Sequence, residues 1–199
     1  MAPRVEGTDF SRIVAFTDGV FAIAITLLVL SLEIPRGDHD LVGRLVEELP
    51  DLGAYFLSFA VVGRLWIVHH RFFARLRRFD TRLMSLNLLY LSLVVLVPFT
   101  TELLGDHGDD TIAPVVYATV LGLASLVNLV MVRHAVECEH VRPDVEPVSQ
   151  RVAVLMPVVF FLSIPVAFIH PHAAEATWLL LLVRRIPPLP AAQRPPSRT

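Results

Sequence analysis

A chain of 199 residues that is 54% hydrophobic and 18% charged, with a mean hydropathy of +0.61 and its charges gathered in short runs between long uncharged stretches, reads as a polytopic membrane protein. A net charge of −2, with basic residues confined to short links, makes nucleic acid an unexpected partner. The one cysteine, Cys138, excludes an intramolecular disulfide framework.

The N-terminal segment carries no charge between Asp18 and Glu33. Reaching back to Arg12 gives about 20 residues, enough at ~1.5 Å per residue to cross a hydrocarbon core of ~30 Å. A first helix is predicted over about 10–33, capped by Thr8 or Asp9. It is too long for a signal-peptide core, and no small-residue cleavage pattern follows Leu32. Phe16, Gly19, Ile23, Leu27 and Leu30 recur at helical spacing, with Thr26 at the edge of their face. Asp18 lies at membrane depth, where an ionised group costs a few kcal/mol unless it meets protein or water, so it marks a position turned away from lipid.

The link that follows is acidic and broken by Pro35 and Gly37, with a short amphipathic helix suggested by Leu41-Val42 and Leu45-Val46. A second helix is expected over 52–74, carrying Arg64, Trp66, His69 and His70. A third follows over 83–103, with its end signalled near Pro98, and a fourth over 111–133. Pro143 and Pro147 interrupt the next link, and a fifth helix over 152–170 contains Pro157 and Pro165, so a kink is expected. The sixth, 173–186, is short, with eight uncharged residues from Ala176 to Val183 before Arg184-Arg185. A Pro- and Arg-rich stretch over 187–199 reads as a disordered tail, so that 1–199 forms a single transmembrane domain of all-α class.

Orientation follows from arginine, the only basic residue type besides histidine in the chain. Arg4 and Arg12, Arg71, Arg75, Arg77, Arg78 and Arg82, Arg133, Arg142 and Arg151, and Arg184, Arg185, Arg194 and Arg198 fall on one side. Arg36 and Arg44 fall on the other, and Arg64 within a span. The positive-inside rule then places both termini in the cytoplasm and requires an even number of crossings, six rather than five. The Arg71–Arg82 link answers to topology and anionic membrane lipid.

The pattern Arg12-x-x-x-Phe16-Thr17-Asp18-Gly19-x-x-Ala22-Ile23-x-x-Thr26-x-x-Val29-Leu30 resembles the first helix of the transmembrane protein 175 family, the lysosomal potassium channels and their bacterial relatives. The family's hallmark there is Phe-Ser-Asp, and Thr17 keeps the hydroxyl. Trp66-x-x-His69-His70 and Asn87-Leu88-Leu89-Tyr90-Leu91, leading to Pro98-Phe99, extend the resemblance over roughly residues 10–170, while the short sixth segment departs from it. The resemblance implies a homotetramer of six-helix subunits in the cell membrane, with one first helix from each lining a central pathway for monovalent cations. By position, Ile23 would be the narrowest ring, Leu27 and Leu30 would line the wider stretch, and Thr26 would add a hydroxyl ring favouring K⁺. No Thr-Val-Gly-Tyr-Gly stretch supplies a carbonyl filter.

Four isoleucine side chains around an axis make a neck that water leaves readily, so the resting barrier is dewetting. A neighbouring hydroxyl replaces part of an ion's hydration shell and favours the more weakly hydrated K⁺, with modest selectivity. Arg12, Phe16, Thr17, Asp18, Trp66, His69, His70 and Asn87 fall at similar depth, and a polar cluster fixing the pore helix is expected from them. An alternative is a proton-coupled transporter or proton channel using Asp18 and His69 or His70. No nucleophile–base pair or phosphate loop suggests an enzyme. No cofactor is expected beyond the permeant K⁺, and no metal site from the spacing of Glu137-Cys138-Glu139-His140 or His170-Pro171-His172.

Overall fold

Long apolar stretches fold as helices even where a proline or glycine falls within them, and the polar, charged links separate them. The computed structural model describes residues 7–32, 42–43, 46, 48–145 and 150–183. Helix α1 (Gly7–Leu27) closes on a tighter 3₁₀ turn, Leu28–Ser31. Helix α2 (Leu49–Phe73) starts on Pro50, whose missing N–H is no loss in a first turn. Then come α3 (Thr81–Val95), α4 (Val97–Asp106), α5 (Ile112–Glu137), α6 (Gln150–Ala167) and α7 (Pro171–Val183). Among the described residues, counting α3 and α4 as one, six helical segments follow one another, and four are long and apolar enough to cross a membrane. The chain is an all-α polytopic membrane protein.

Two boundaries differ from the sequence expectation. Pro98 does not end the third segment but offsets it at Leu96, where Leu96 N–H turns to the Leu93 carbonyl at 3.2 Å and α4 continues to Asp106. Proline removes one donor and clashes with the preceding turn, and just beyond it the Thr100 and Thr101 hydroxyls both donate to the Val97 carbonyl, at 3.0 and 2.8 Å. The last helix starts at Pro171, two residues early, and its 13 described residues reach about 20 Å. Pro157 and Pro165 lie inside α6 without ending it. The predicted tail over 187–199 and most of the acidic link's amphipathic helix lie outside the described residues.

The centre of the subunit is α5, of which 56% is buried, against 22% of the α1 span. It packs on α3, α4 and α6. Gly122 lets α6 close in, since a Cβ there would sit 3.0 Å from the Phe161 ring. The hydroxyls of Thr101, Ser58 and Tyr117 form a buried chain at 2.8 and 3.0 Å that joins α4, α2 and α5. Trp178 anchors the short α7. Its ring stacks on Tyr117 at 4.6 Å, and its indole N–H donates to Ser163 on α6 at 2.9 Å.

At the Arg-rich end, Asp80 caps α3 by accepting from Leu83 N–H at 2.8 Å. Burial works against its charge, but that bond and the one from His134 outweigh it and hold the carboxyl below its ordinary range. An isolated antiparallel bridge, Leu76 to Val141, ties the α2–α3 link to the residues after α5.

The candidate pore helix and its polar anchor

Helix α1 has two faces. Thr17, Phe21, Ala24 and Leu28, at spacings of four, three and four, are buried against α2, α3 and α4. Phe16, Ile23, Thr26, Leu27 and Leu30 are exposed on the subunit, Ile23 by 60% and Leu30 by 73%. At about 100° per residue, Thr26 stands about 180° round the helix from Thr17, and Ile23 about 120°. Whatever fixes Thr17 inward therefore fixes Thr26 and Ile23 outward.

What fixes Thr17 is Asn87 on α3. Its carboxamide N–H donates to the Thr17 hydroxyl at 2.9 Å, and its carbonyl accepts from His69 Nε2–H on α2 at 2.9 Å. All three residues are buried. A carbonyl oxygen only accepts, so the His69 proton sits on Nε2. The imidazole is held between rings, stacked on Phe73 at 4.2 Å and on Tyr90 at 4.9 Å, with Phe21 at 5.9 Å. Sequence reasoning passed over these aromatics, yet a spacing signal existed. Phe21 follows Thr17 by four, Phe73 follows His69 by four, and Tyr90 follows Asn87 by three, so each shares a helix face with a polar residue of the anchor.

Asp18 belongs to a second, more open set. Trp66 Nε1–H donates to its Oδ1 at 2.9 Å, and His70 Nδ1 lies 4.0 Å from the same oxygen, with both side chains 40% exposed. The Trp66 and His70 rings lie 5.4 Å apart. The expected single cluster is thus two, because neighbouring residues on a helix point about 100° apart: Thr17 enters the core while Asp18 runs along its edge. Arg12 is exposed and, among the described residues, joins neither set, and Phe16 is exposed as well. Thr26 donates its hydroxyl proton to the Ile23 carbonyl at 2.8 Å.

Residues 12–98, which hold most of α1 and both polar sets, match the sequence profile of the family described as "Endosomal/lysosomal potassium channel TMEM175". A potassium channel of Chamaesiphon minutus is 38% identical over 142 residues, covering 68% of this chain and 70% of that protein. The chain belongs to the TMEM175 family. A potassium channel of Streptomyces collinus is 42% identical over 117 residues, 58% of this chain but 57% of that protein. The human endosomal/lysosomal proton channel TMEM175 is 34% identical over 156 residues, of which the match spans 31% of its length. The fold is similar to the crystal structure of a lysosomal potassium-selective channel TMEM175 homolog from Chamaesiphon minutus, with a TM-score of 0.78 at 30% identity, covering 88% of this chain and 95% of that one. TMEM175 is a family of ion channels and not of enzymes.

Replacing Asn87 by Leu leaves the Thr17 hydroxyl and the His69 N–H buried without a partner, at ~1–3 kcal/mol each. Thermal unfolding in detergent should register a loss on the order of 2–4 kcal/mol. An unchanged transition would show that packing of Phe21, Ala24 and Leu28 alone orients α1.

Proposed function

We propose that this protein is a potassium-permeable channel of the cell membrane, a homotetramer in which one α1 helix from each subunit lines a central pathway. The observation that carries the reading is the outward face of α1. Ile23, Leu27, Leu30 and Thr26 find no place in their own subunit's core, while Thr17, Phe21, Ala24 and Leu28 grip it from behind. Four-fold association of those faces gives aliphatic rings around an axis, with Ile23 the narrowest and its barrier one of dewetting. The names of the bacterial relatives support K⁺ as the permeant ion. The distribution of arginine supports a cytoplasmic position for both termini. On this reading, residues 1–199 form a single channel domain.

Thr26 supplies the selectivity. Its proton is committed to the Ile23 carbonyl, so the oxygen lone pairs are what face away from the helix, as a cation ligand requires. One oxygen per subunit replaces only part of a hydration shell, which gives modest preference for K⁺ over Na⁺. Thr17, Asp18, Trp66, His69, His70 and Asn87 act behind the pore, setting the rotation of α1, while Arg12 and Phe16 stay outside both polar sets.

A proton pathway is the second reading, and two observations favour it. Asp18 and His70 stand 4.0 Å apart and partly exposed, and the human relative is named a proton channel. His69, enclosed by rings and bonded to Asn87, is the less suited of the two histidines.

In proteoliposomes, Ile23→Asn should wet the neck and raise Na⁺ leak severalfold, and unaltered flux would count against a constriction at that residue. Thr26→Val should lower the K⁺/Na⁺ permeability ratio with tetramer mass in detergent unchanged; a constant ratio removes Thr26 from selectivity. Without K⁺, an imposed pH gradient should persist across wild-type vesicles. Its collapse in wild type but not in His70→Gln would move the assignment to the proton reading.

A further inference from the structure

Three residues far apart in sequence meet at the Arg-rich end of the bundle. Asp80 stands before α3, His134 in the last turn of α5, and His140 in the link beyond α5. His134 Nε2 lies 2.8 Å and His140 Nε2 3.9 Å from the same oxygen, Asp80 Oδ2, and the three candidate ligand atoms all fall within 4.8 Å of one another. Zinc–nitrogen and zinc–oxygen bonds of about 2.0–2.2 Å place tetrahedral ligands about 3.3–3.5 Å apart, between the two distances seen here.

The pair His134–Asp80 is complete as a hydrogen bond, but His140 is not explained that way. It is 9% exposed, and among the described residues neither of its ring nitrogens has a hydrogen-bond partner: Nδ1 is buried without one, and Nε2 at 3.9 Å is too far from Asp80 to form one. A ring nitrogen buried without a partner, as Nδ1 is, costs ~1–3 kcal/mol. Its position is nonetheless built. His140 N–H donates to the Ala135 carbonyl at 2.8 Å, Arg77 N–H donates to the His140 carbonyl at 2.8 Å, and Glu139 before it adopts a left-handed φ of 53° that swings the chain back over the end of α5. Asp80 Oδ1 is held by Leu83 N–H, the outer-shell support that a metal-binding carboxylate requires.

We propose that Asp80, His134 and His140 bind one divalent transition-metal ion of the zinc class, which staples the α2–α3 link to the residues after α5. Two imidazoles and one carboxylate suit zinc or its neighbours and not Mg²⁺ or Ca²⁺, which take oxygen ligands. Asp80 is partly exposed and leaves a side for water as the fourth ligand. Cys138 Sγ is no ligand in this arrangement, since it lies 3.7 Å from His134 Nδ1, the nitrogen on the far side of that ring. Arg77 and Arg78 also approach His140 and repel a cation, and the Asp80 carboxylate offsets them. Asp80 precedes Asn87 by seven residues, two turns along one face of α3, so the ion would brace the helix that holds Thr17.

Isothermal titration of the chelator-stripped, full-length protein in detergent with ZnCl₂ tests this. One saturable site per subunit is expected. His140→Ala, chosen because neither ring nitrogen serves the fold, should weaken it by about a hundredfold or more and abolish the zinc-induced rise in unfolding temperature. Cys138→Ser should leave both unchanged. Cobalt should give the intense visible absorption of a four-coordinate ion, and Mg²⁺ no heat. Absence of a saturable zinc site, full binding by His140→Ala, or loss of binding in Cys138→Ser would each overturn the assignment.

Discussion

The Asn87 carboxamide is the constraint on which the subunit depends. It is buried and touches both α1 and α2 through polar atoms, by its N–H to Thr17 and its carbonyl to His69. In a hydrocarbon surround, no water replaces a lost partner, so a rotation of α1 that uncouples Thr17 leaves two polar groups stranded. Apolar packing alone would hold α1 less strictly, because lipid tails are as apolar as the side chains they would displace. The polar bond sets the helix's rotation, and the rotation decides which side chains face outward.

Behind α1 the rest of the bundle is fixed by the same device. The Thr101–Ser58–Tyr117 hydroxyl chain joins three helices in the buried centre, and the Trp178 indole N–H bonds a fourth element to Ser163. In both cases a polar side chain meets another, which is the condition for burying hydroxyls and amides in a membrane. The described residues of helix α7, Pro171–Val183, are retained by a fully buried tryptophan stacked on Tyr117.

The asymmetry between this cross-linked bundle and the open face of α1 gives the channel reading its physical content. The bundle supplies rigidity, and α1 offers aliphatic side chains and one hydroxyl that its own subunit leaves uncovered. Any rotation of α1 would work against the Asn87 bond, since the polar anchor and the outward aliphatic side chains lie on different faces of one helix.

The sequence by itself determined the membrane spans, because an apolar run of about 20 residues with at most a charge or two favours the hydrocarbon core. It also marked the Phe16-Thr17-Asp18 motif, the Ile23 stripe and the polar residues at matching depth, since helical periodicity says which side chains share a face. Periodicity does not say which faces meet. That Thr17 and Asp18 go to different partners, that Pro98 kinks a crossing instead of ending it, and that α1 is least buried were decided by packing. So was the meeting of Asp80 with His134 and His140, 54 and 60 residues away, because it depends on two links being brought together by the bridge from Leu76 to Val141.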